Sequence, residues 1–508
     1  MGFLSPVIAG FGVVFQPQNL LYCLLGVTLG MLVGVLPGLG PAATIAILLP
    51  VTYNIDPTSA IIMLAGIFYG AQYGGTITSV LLRLPGEASS VVTAIDGYEM
   101  TKQGRGGAAL GISAIGSFIG GTVAIVVVTF VAPLVAGFAL DFGPAEYTML
   151  ALLGILMVTT LGTGSAGKSL LMATVGLLLA TIGQDPLIGT PRLAFGSDQL
   201  LDGIDFVIIA MGVFGVGEIL YNLESLRDKP PGPVTVGSVY PSRQDLRDSR
   251  GAIGRGSVVG FLLGILPGGG ATMSSMVAYA VERKAAKKPE TFGKGAIQAV
   301  AGPETANNAA ATSSFIPLLS LGIPANATMA VMFGALLLQG ISPGPMLVKE
   351  NPELFWGVVN SMYIGNLLLL AMSLPLIGIF VRILRIRPAI LAPVTVLITM
   401  IGVYTVRMNV FDMFLVVGLG LLGYLMKKVG FEPGPLVLAF VLGEILEAAF
   451  RRSMRTFDGQ LTGFLTQPIA AALLGAIVLL VGWSLVRAAR APNLARKPEA
   501  EPLESSRS

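Results

Sequence analysis

The stretch Gly34-Val-Leu-Pro-Gly-Leu-Gly40 returns later in the chain as Gly264-Ile-Leu-Pro-Gly-Gly-Gly270, and each copy lies inside an apolar segment. Pro37 and Pro267 have no backbone N–H, and the glycines after them reach backbone angles that other residues avoid, so a helix breaks at each point. In hydrocarbon the freed polar groups are tolerated only where they face buried protein, water or a bound ion. Paired breaks in the two halves of a chain therefore predict a transport site.

The composition is that of a polytopic membrane protein. Of 508 residues 54% are hydrophobic and 12% are charged, and the mean hydropathy is +0.80. We predict an all-α fold with about eleven or twelve crossings of a hydrocarbon layer roughly 30 Å thick. The longest apolar runs lie near residues 20–36, 58–82, 108–135, 145–163, 168–184, 205–221, 355–381, 388–406, 411–426 and 466–486.

Several kinds of site are excluded by composition. Cys23 is the single cysteine and the chain has no histidine, so disulfides, Cys/His zinc sites and a histidine proton relay are ruled out. Any proton coupling would need a carboxylate. We predict no cofactor and no assigned metal beyond a coupling cation. We also predict no nucleic-acid partner, because the net charge of +3 reflects basic loops on the cytoplasmic side.

The segment from residue 222 to 255 is rich in Pro, Gly and charge and predicts a cytoplasmic linker. This linker would separate a first transmembrane repeat, residues 1–221, from a second, residues 256–486. A polar disordered tail would follow at residues 487–508. The loop 283–294 is also basic, so both ends of the apolar stretch between these loops face the cytoplasm. We interpret that stretch as a re-entrant hairpin with Pro267 to Gly270 at its tip; the alternative is one kinked span.

A second phrase is also repeated. Leu84-Pro-Gly-Glu-Ala-Ser-Ser90 matches Ile323-Pro-Ala-Asn-Ala-Thr-Met329 at an offset of 239 residues, against 230 for the breaks. Each half thus carries a helix break and then a polar turn that contains proline, and the four could converge on one midplane site. Counting crossings does not decide whether the two structural repeats are inverted, and we expect that they are.

Two polar stretches interrupt the apolar pattern. Tyr69 to Thr78 offers phenols, an amide and hydroxyls at membrane depth, and Pro303 to Ser314 includes Glu304 with two asparagines. Polar side chains at this depth are either contacts between helices or ligands, and oxygen atoms with one carboxylate suit a hard cation such as sodium. The alternative for Pro303 to Ser314 is a solvated loop without a ligand. Broken helices offer free N–H groups, which suit a small anion.

Two other features have ordinary alternatives. Gly162-Thr-Gly-Ser-Ala-Gly-Lys-Ser169 fits the phosphate-loop pattern, but it joins two apolar runs instead of following a strand, so we interpret it as a turn and predict no ATPase. The cluster Arg451, Arg452 and Arg455 indicates either that residues 434–450 do not cross the membrane or that these arginines serve an anionic ligand; we favour the first.

Several long phrases, in order, resemble the large permease subunit of the tripartite tricarboxylate transporters, the TctA family. They are residues 34–46, Tyr69 to Thr76, Leu84 to Gly97, Gly264 to Gly270 and Gly302 to Ala309. The resemblance implies a multi-pass permease of the bacterial inner membrane that works with a small four-helix membrane subunit and a periplasmic solute-binding protein. It implies import of citrate or a related carboxylate, driven by a cation gradient, sodium before proton, and not by ATP.

Carried over residue by residue, the resemblance places the substrate and ion site on the breaks, the turns and the polar stretches. The predicted residues are Pro37, Gly38, Leu39, Gly40, Thr44, Gln72, Gly74, Gly75, Pro85, Gly86, Ser89, Ser90, Pro267, Gly268, Gly269, Gly270, Asn307, Asn308, Pro324 and Asn326. The second turn reads Pro324-Ala-Asn where the family has Pro-Gly, which weakens the assignment of Asn326.

Three rival functions use the same residues. A gated anion channel could exploit the same helix dipoles without ion coupling. A hydrolase would need a base for Ser89 or Ser90, and neither serine has an evident one, so we predict that the chain is not an enzyme. A scaffold that only holds partner subunits is the third possibility.

Overall fold

The computed structural model describes residues 4–36, 39–84, 86–161, 165–185, 188–225, 236–383 and 388–490. The helices of the first half are α1 Leu4–Val14, α2 Pro17–Gly34, α3 Pro41–Leu48, α4 Pro57–Leu82, α5 Val91–Lys102, α6 Gly106–Ala139, α7 Pro144–Leu161, α8 Ala166–Ala180, α9 Phe206–Ala210 and α10 Gly217–Ser225. A π-helical segment, Met211–Val216, joins α9 to α10.

The helices of the second half are α11 Arg243–Ile265, α12 Gly270–Ala285, α13 Gln298–Ser313, α14 Ala327–Leu338, α15 Leu347–Glu350, α16 Pro352–Ser373, α17 Ile377–Ile383, α18 Pro388–Arg407, α19 Val410–Lys428, α20 Gly434–Thr456, α21 Gly463–Thr466 and α22 Pro468–Arg490. Short 3-10 turns occur at Leu49–Thr52, Ala88–Ser90, Asp198–Leu200 and Pro289–Thr291, and a second π-helical segment at Pro317–Leu321. The strands in the described ranges are two short antiparallel pieces, β1 Gly183–Gln184 and β2 Pro191–Arg192.

The predicted all-α polytopic architecture is confirmed. In the described part of the chain, seven helical stretches are long and apolar enough to cross a membrane: Pro17–Gly34, Pro57–Leu82, Gly106–Ala139, Phe206–Glu224, Pro352–Ser373, Val410–Lys428 and Pro468–Val486. Six shorter apolar helices accompany them, including Pro41–Thr52 directly after the first break. Some of the apolar runs that the sequence analysis assigned to full crossings are therefore shorter helices, among them one that follows a break.

Glycines hold α2 against α4. Successive glycines of α2, at 26, 30 and 34, meet the backbone of Met63, Ile67 and Ala71 in turn, so the two helices run parallel. A Cβ atom added to Gly30 would lie 2.4 Å from the carbonyl oxygen of Ile67. Small residues at this spacing let helix backbones approach closely inside a membrane protein.

The second break forms a hairpin. Arg255 of α11 forms an ion pair with Glu282 of α12 at 2.7 Å, so the two helices run antiparallel with the break between them. The part of the predicted linker from 243 to 255 is helical, because Ser242 and Asp245 form a capping box that starts α11. Linker residues 226–235 and tail residues 491–508 lie outside the described residues.

The α11 and α13 pair repeats the packing of α2 and α4. Glycines 256, 260 and 264 of α11 meet residues 302, 306 and 310 of α13. Relative to the first half, the glycines are offset by 230 residues and their partners by 239, the same offsets that relate the two pairs of sequence phrases. The equivalent segments of the two halves therefore make equivalent helix contacts.

The two helix pairs run in opposite directions. The Tyr73 hydroxyl donates to the carbonyl oxygen of Leu110, and Leu81 lies against Gly106, so α4 is antiparallel to α6. Thr305 lies against Gly116, and the hydroxyl of Ser320, in the continuation of α13, donates to Ala132, so α13 is parallel to α6. It follows that α4 and α13 are antiparallel.

The phosphate-loop pattern lies between α7 and α8, and its residues 162–164 are outside the described ranges. Lys168, which would bind phosphate in such a loop, donates instead to the carbonyl oxygen of Val429 at 2.6 Å and lies over the ring of Phe431. A helix, not a strand, precedes the stretch, which supports its interpretation as a turn.

Gly260→Ala tests the close approach of α11 and α13. The added Cβ would lie 2.3 Å from the carbonyl oxygen of Ala306, so we expect the substitution to destabilise the protein by about 1–3 kcal/mol through overpacking. Gly254→Ala is the matched control on the same helix, since a Cβ there meets nothing within 4 Å. Thermal unfolding in detergent measures both; equal midpoints would contradict the packing.

Candidate functional site

The second break is closed by the second turn. Pro267 precedes Gly268, whose φ is +78° and whose N–H donates to the carbonyl oxygen of Ala325 at 2.7 Å. Gly269 donates to Leu266, and Gly270, with φ +52°, begins α12. The backbone angles at 268 and 270 are ones that residues with a side chain rarely adopt. The second break and the second turn thus form one unit.

Asn326 fixes the second turn. It follows Pro324 and Ala325, and its side chain accepts from the backbone N–H of Met329 at 3.0 Å, which caps α14. The same side chain donates to the hydroxyl of Ser314 at 3.2 Å, and a Cβ on Gly270 would lie 3.4 Å from that of Asn326. Asn326 therefore lies at the second break, although the turn reads Pro-Ala instead of Pro-Gly.

The first break lies beside the first turn. Leu39 is buried, and a Cβ on Gly40 would lie 3.9 Å from the Cβ of Glu87. Gly75 on α4 faces Glu87 and Gly86, where a Cβ would approach Glu87 Cγ to 3.0 Å. Three predicted residues, Pro37, Gly38 and Pro85, lie outside the described residues.

The two clusters correspond position by position. Glu87 and Asn326 hold the same place in the repeated turn phrase, and Gly40 and Gly270 hold the same place in the repeated break phrase. Both glycines contact the matching turn residue. The chemical difference is that the first turn carries a carboxyl group and the second an amide.

Helix α13 connects the two clusters. The Asn307 amide donates to Glu87 Oε1 at 3.1 Å, and the Ser89 hydroxyl donates to the same oxygen. Ser314, which contacts the second turn, lies seven residues further along the chain, about 10 Å along the helix axis. Asn307 Oδ1 is buried and has no partner. One helix therefore presents polar groups to both breaks.

A second carboxyl group is buried on α13. Glu304 is fully buried, and it accepts from Thr93 at 2.6 Å through Oε1 and from Thr76 at 2.7 Å through Oε2. Among the described residues neither Glu304 nor Glu87 forms an ion pair with a Lys or Arg. Glu304, which is buried, and Glu87, which is partly exposed, thus lack a basic partner among the residues that the structure describes.

Other predicted residues make structural contacts. The Thr44 hydroxyl donates to Gly40 of its own helix start, and Gly74 packs on the backbone of α2. Ser90 donates to the carbonyl oxygen of Glu87 and accepts from Ser79. Asn308 donates to Ser117 at 2.7 Å, away from both breaks. Gln72 is buried on α4, and its Oε1 has no partner.

A wide cavity lies elsewhere in the described part of the chain. It has a volume of about 980 Å³ and is lined by β1, β2 and parts of α9, α14, α18 and α20, without any predicted site residue. Arg451, near this cavity, pairs with Asp185 at 2.8 Å and with Glu447 at 3.0 Å. Its charge is therefore balanced by protein carboxylates.

Residue-by-residue prediction omitted Glu87, Thr76 and Thr93, and weighed Glu304 without including it in the site. Glu87 stands inside the repeated turn phrase, so the repeat itself was a signal that could have identified it. Thr93 gives no such signal, because its contact with Glu304 joins residues 211 apart.

Interrupted helices that meet polar turns inside a bundle of membrane-spanning helices are typical of membrane transport proteins. Comparison with known proteins agrees: the model of the tripartite tricarboxylate transporter TctA family matches residues 20–438. The chain belongs to this family.

Two relatives from Agrobacterium vitis are similar to this chain. An "uncharacterized 52.8 kDa protein in TAR-I ttuC' 3'region" is 49% identical over 497 residues, which cover 98% of each chain. An "uncharacterized protein in TAR-II ttuC' 3'region" is 53% identical over 216 residues, which cover 42% of this chain and 89% of the relative. No solved structure matches.

Thr76 and Thr93 stabilise the buried carboxyl group of Glu304, and replacing both tests this role. We expect Thr76→Val with Thr93→Val to destabilise the protein by about 1–3 kcal/mol, because a buried carboxyl group loses its donors. Adding Glu304→Met should recover most of the loss, since no polar group then lacks a partner. Thr101→Val, whose hydroxyl serves neutral carbonyls, is the control. Thermal unfolding in sodium-free buffer reads out all variants; a triple variant no more stable than the double would contradict this role.

Proposed function

We propose that this chain is the membrane permease subunit of a secondary transporter that depends on a binding protein and imports tricarboxylates or related carboxylates across the bacterial inner membrane. Its partners are a small four-helix membrane subunit and a periplasmic solute-binding protein. A cation gradient, sodium before proton, drives uptake, and ATP does not. Membership of the tripartite tricarboxylate transporter TctA family supports the transport role and the existence of partner subunits.

The observation that carries this proposal is the pairing of each helix break with a polar turn. Gly268 donates to Ala325 at the second break, and Gly40 and Gly75 lie against Glu87 at the first. Antiparallel α4 and α13 carry these clusters toward each other, which supports two inverted-topology repeats around one site. Alternating access would then move one bundle against the other.

The substrate class follows from the groups at the breaks. Helix α12 begins at the second break, so the positive end of its dipole and its free backbone N–H groups face the site. Such helix starts bind carboxylates and phosphates. The carboxyl groups of Glu87 and Glu304, which have no basic partner among the described residues, favour a cation that enters together with the anion.

Uptake of labelled citrate tests this function. Proteoliposomes contain the chain, its small subunit and the binding protein, with and without an inward sodium gradient. We expect sodium-dependent uptake that Gly268→Leu abolishes, because a side chain there would lie 2.7 Å from the carbonyl oxygen of Met157 and would force a strained φ.

Gly104→Leu is the matched control for that experiment. Gly104 also has a positive φ, +76°, but a Cβ there meets nothing within 4 Å. Uptake should therefore survive this substitution. Equal loss in both variants would show that strain alone, and not the break, abolishes transport.

Counterflow separates a carrier from a gated channel. Vesicles loaded with unlabelled carboxylate should accumulate the labelled form transiently, because a carrier exchanges substrate across its alternating site. Vesicles without internal substrate provide the control. Equilibration without an overshoot would favour an uncoupled anion channel.

A further inference from the structure

A small cavity lies one helical turn along α13 from Glu304, apart from both breaks. It has a volume of about 10 Å³ and lies where α4, α6, α13 and α16 meet. Its polar lining is Tyr69 of α4, Asn308 and Thr312 of α13, and Asn366 of α16. All four side chains are at least nine-tenths buried. A space of this size holds one water molecule or one small ion.

The amide nitrogens of the two asparagines that line the cavity already have acceptors in the protein. The Asn308 amide nitrogen donates to Ser117 at 2.7 Å and to the backbone oxygen of Glu304 at 3.2 Å. The Asn366 amide nitrogen donates to the carbonyl oxygen of Phe118 at 2.9 Å and to Thr122 at 3.0 Å. Both amide nitrogens are thus committed elsewhere, which leaves the amide oxygens for a ligand.

The Tyr69 hydroxyl has no partner, although its residue is 94% buried. The hydroxyl of Ser361 beside it donates to the carbonyl oxygen of Val358, so it does not donate to the Tyr69 oxygen. The lone pairs of the buried Tyr69 oxygen are therefore open to a ligand in the cavity. Gly121 completes the wall, because a Cβ there would lie 3.0 Å from the Asn366 amide and displace it.

We propose that this cavity binds the sodium ion that the transporter couples to carboxylate uptake, an inference that rests on the proposed function. Neutral oxygens suit a hard cation. Glu304 precedes Asn308 by one helical turn, with its carboxyl group directed to Thr76 and Thr93. The described residues contain no cluster of three or more His, Cys, Asp or Glu side chains that could hold a metal ion, so a multivalent metal is disfavoured.

The same helix connects this cavity to the first break. Asn307 and Asn308 are neighbours on α13, and Asn307 donates to Glu87 while Asn308 lines the cavity. An ion held by Asn308 and Thr312 would fix the position of α13 between α4 and α16. Occupancy of the cavity therefore changes the geometry at Glu87 without direct contact between cation and substrate.

Binding of radioactive sodium tests the site. The full chain, purified with its small subunit and kept without carboxylate, is titrated at constant ionic strength. We expect saturable binding, and we expect Tyr69→Phe and Thr312→Val each to raise the Kd for sodium about tenfold by removing one oxygen ligand. Tyr73→Phe and Thr305→Val are matched controls on the same helices, because their hydroxyls donate to the carbonyl oxygens of Leu110 and Ala301. Their Kd should equal that of the wild type.

Three results would overturn the proposal: no sodium binding by the wild type, an unchanged Kd in both Tyr69→Phe and Thr312→Val, or displacement of sodium by equimolar potassium. Either of the first two would assign the cavity to a buried water molecule. Citrate uptake in the same variants separates this inference from the proposed function. Sodium-driven uptake that neither variant alters would leave the function standing and refute the site. Sodium binding that both variants weaken, without citrate uptake, would support the site and refute the substrate.

Discussion

The structure depends on one constraint: a helix that breaks inside hydrocarbon must have its free backbone groups satisfied by the protein. At the second break this partner is the carbonyl oxygen of Ala325, which accepts from the N–H of Gly268. A side chain at 268 would collide with Met157, so the tip of the hairpin fits only glycine. At the second break, the break phrase and the turn phrase are therefore joined by a hydrogen bond of the backbone.

Glycine packing brings the breaks and turns into contact. The glycines of α2 and of α11 allow those helices to lie directly on α4 and α13, and α13 in turn carries Glu304, Asn307 and Asn308 into the interior. A helix that buries three such groups needs partners on every side. Thr76 and Thr93 serve Glu304, Glu87 serves Asn307, and Ser117 serves Asn308. The polar interior thus holds the two halves of the bundle together.

The sequence was sufficient to predict what depends on local chemistry. Proline and glycine residues indicated both breaks, and the length of the apolar runs indicated an all-helical protein. The basic loops predicted the hairpin whose two helices are joined by the ion pair of Arg255 with Glu282. The start of α11 was missed because its first turns are charged, although Ser242 and Asp245 give a capping signal that could have been used. Contacts such as Thr93 with Glu304, or the meeting of Tyr69 with Asn366, depend on how distant helices cross. No local pattern encodes that geometry.

The difference between Glu87 and Asn326 gives the two equivalent clusters different electrostatic properties. An anion at the first turn would meet the carboxyl group of Glu87, and repulsion would oppose its binding unless a cation compensated. At the second turn the same position is a neutral amide, next to the start of α12 and its positive dipole end. The carboxylates of the proposed substrate therefore fit the second cluster better. A cation would act mainly at the first cluster. Because Asn307 of α13 contacts the first cluster and Ser314, at the end of the same helix, contacts the second, a shift of this helix would change both clusters.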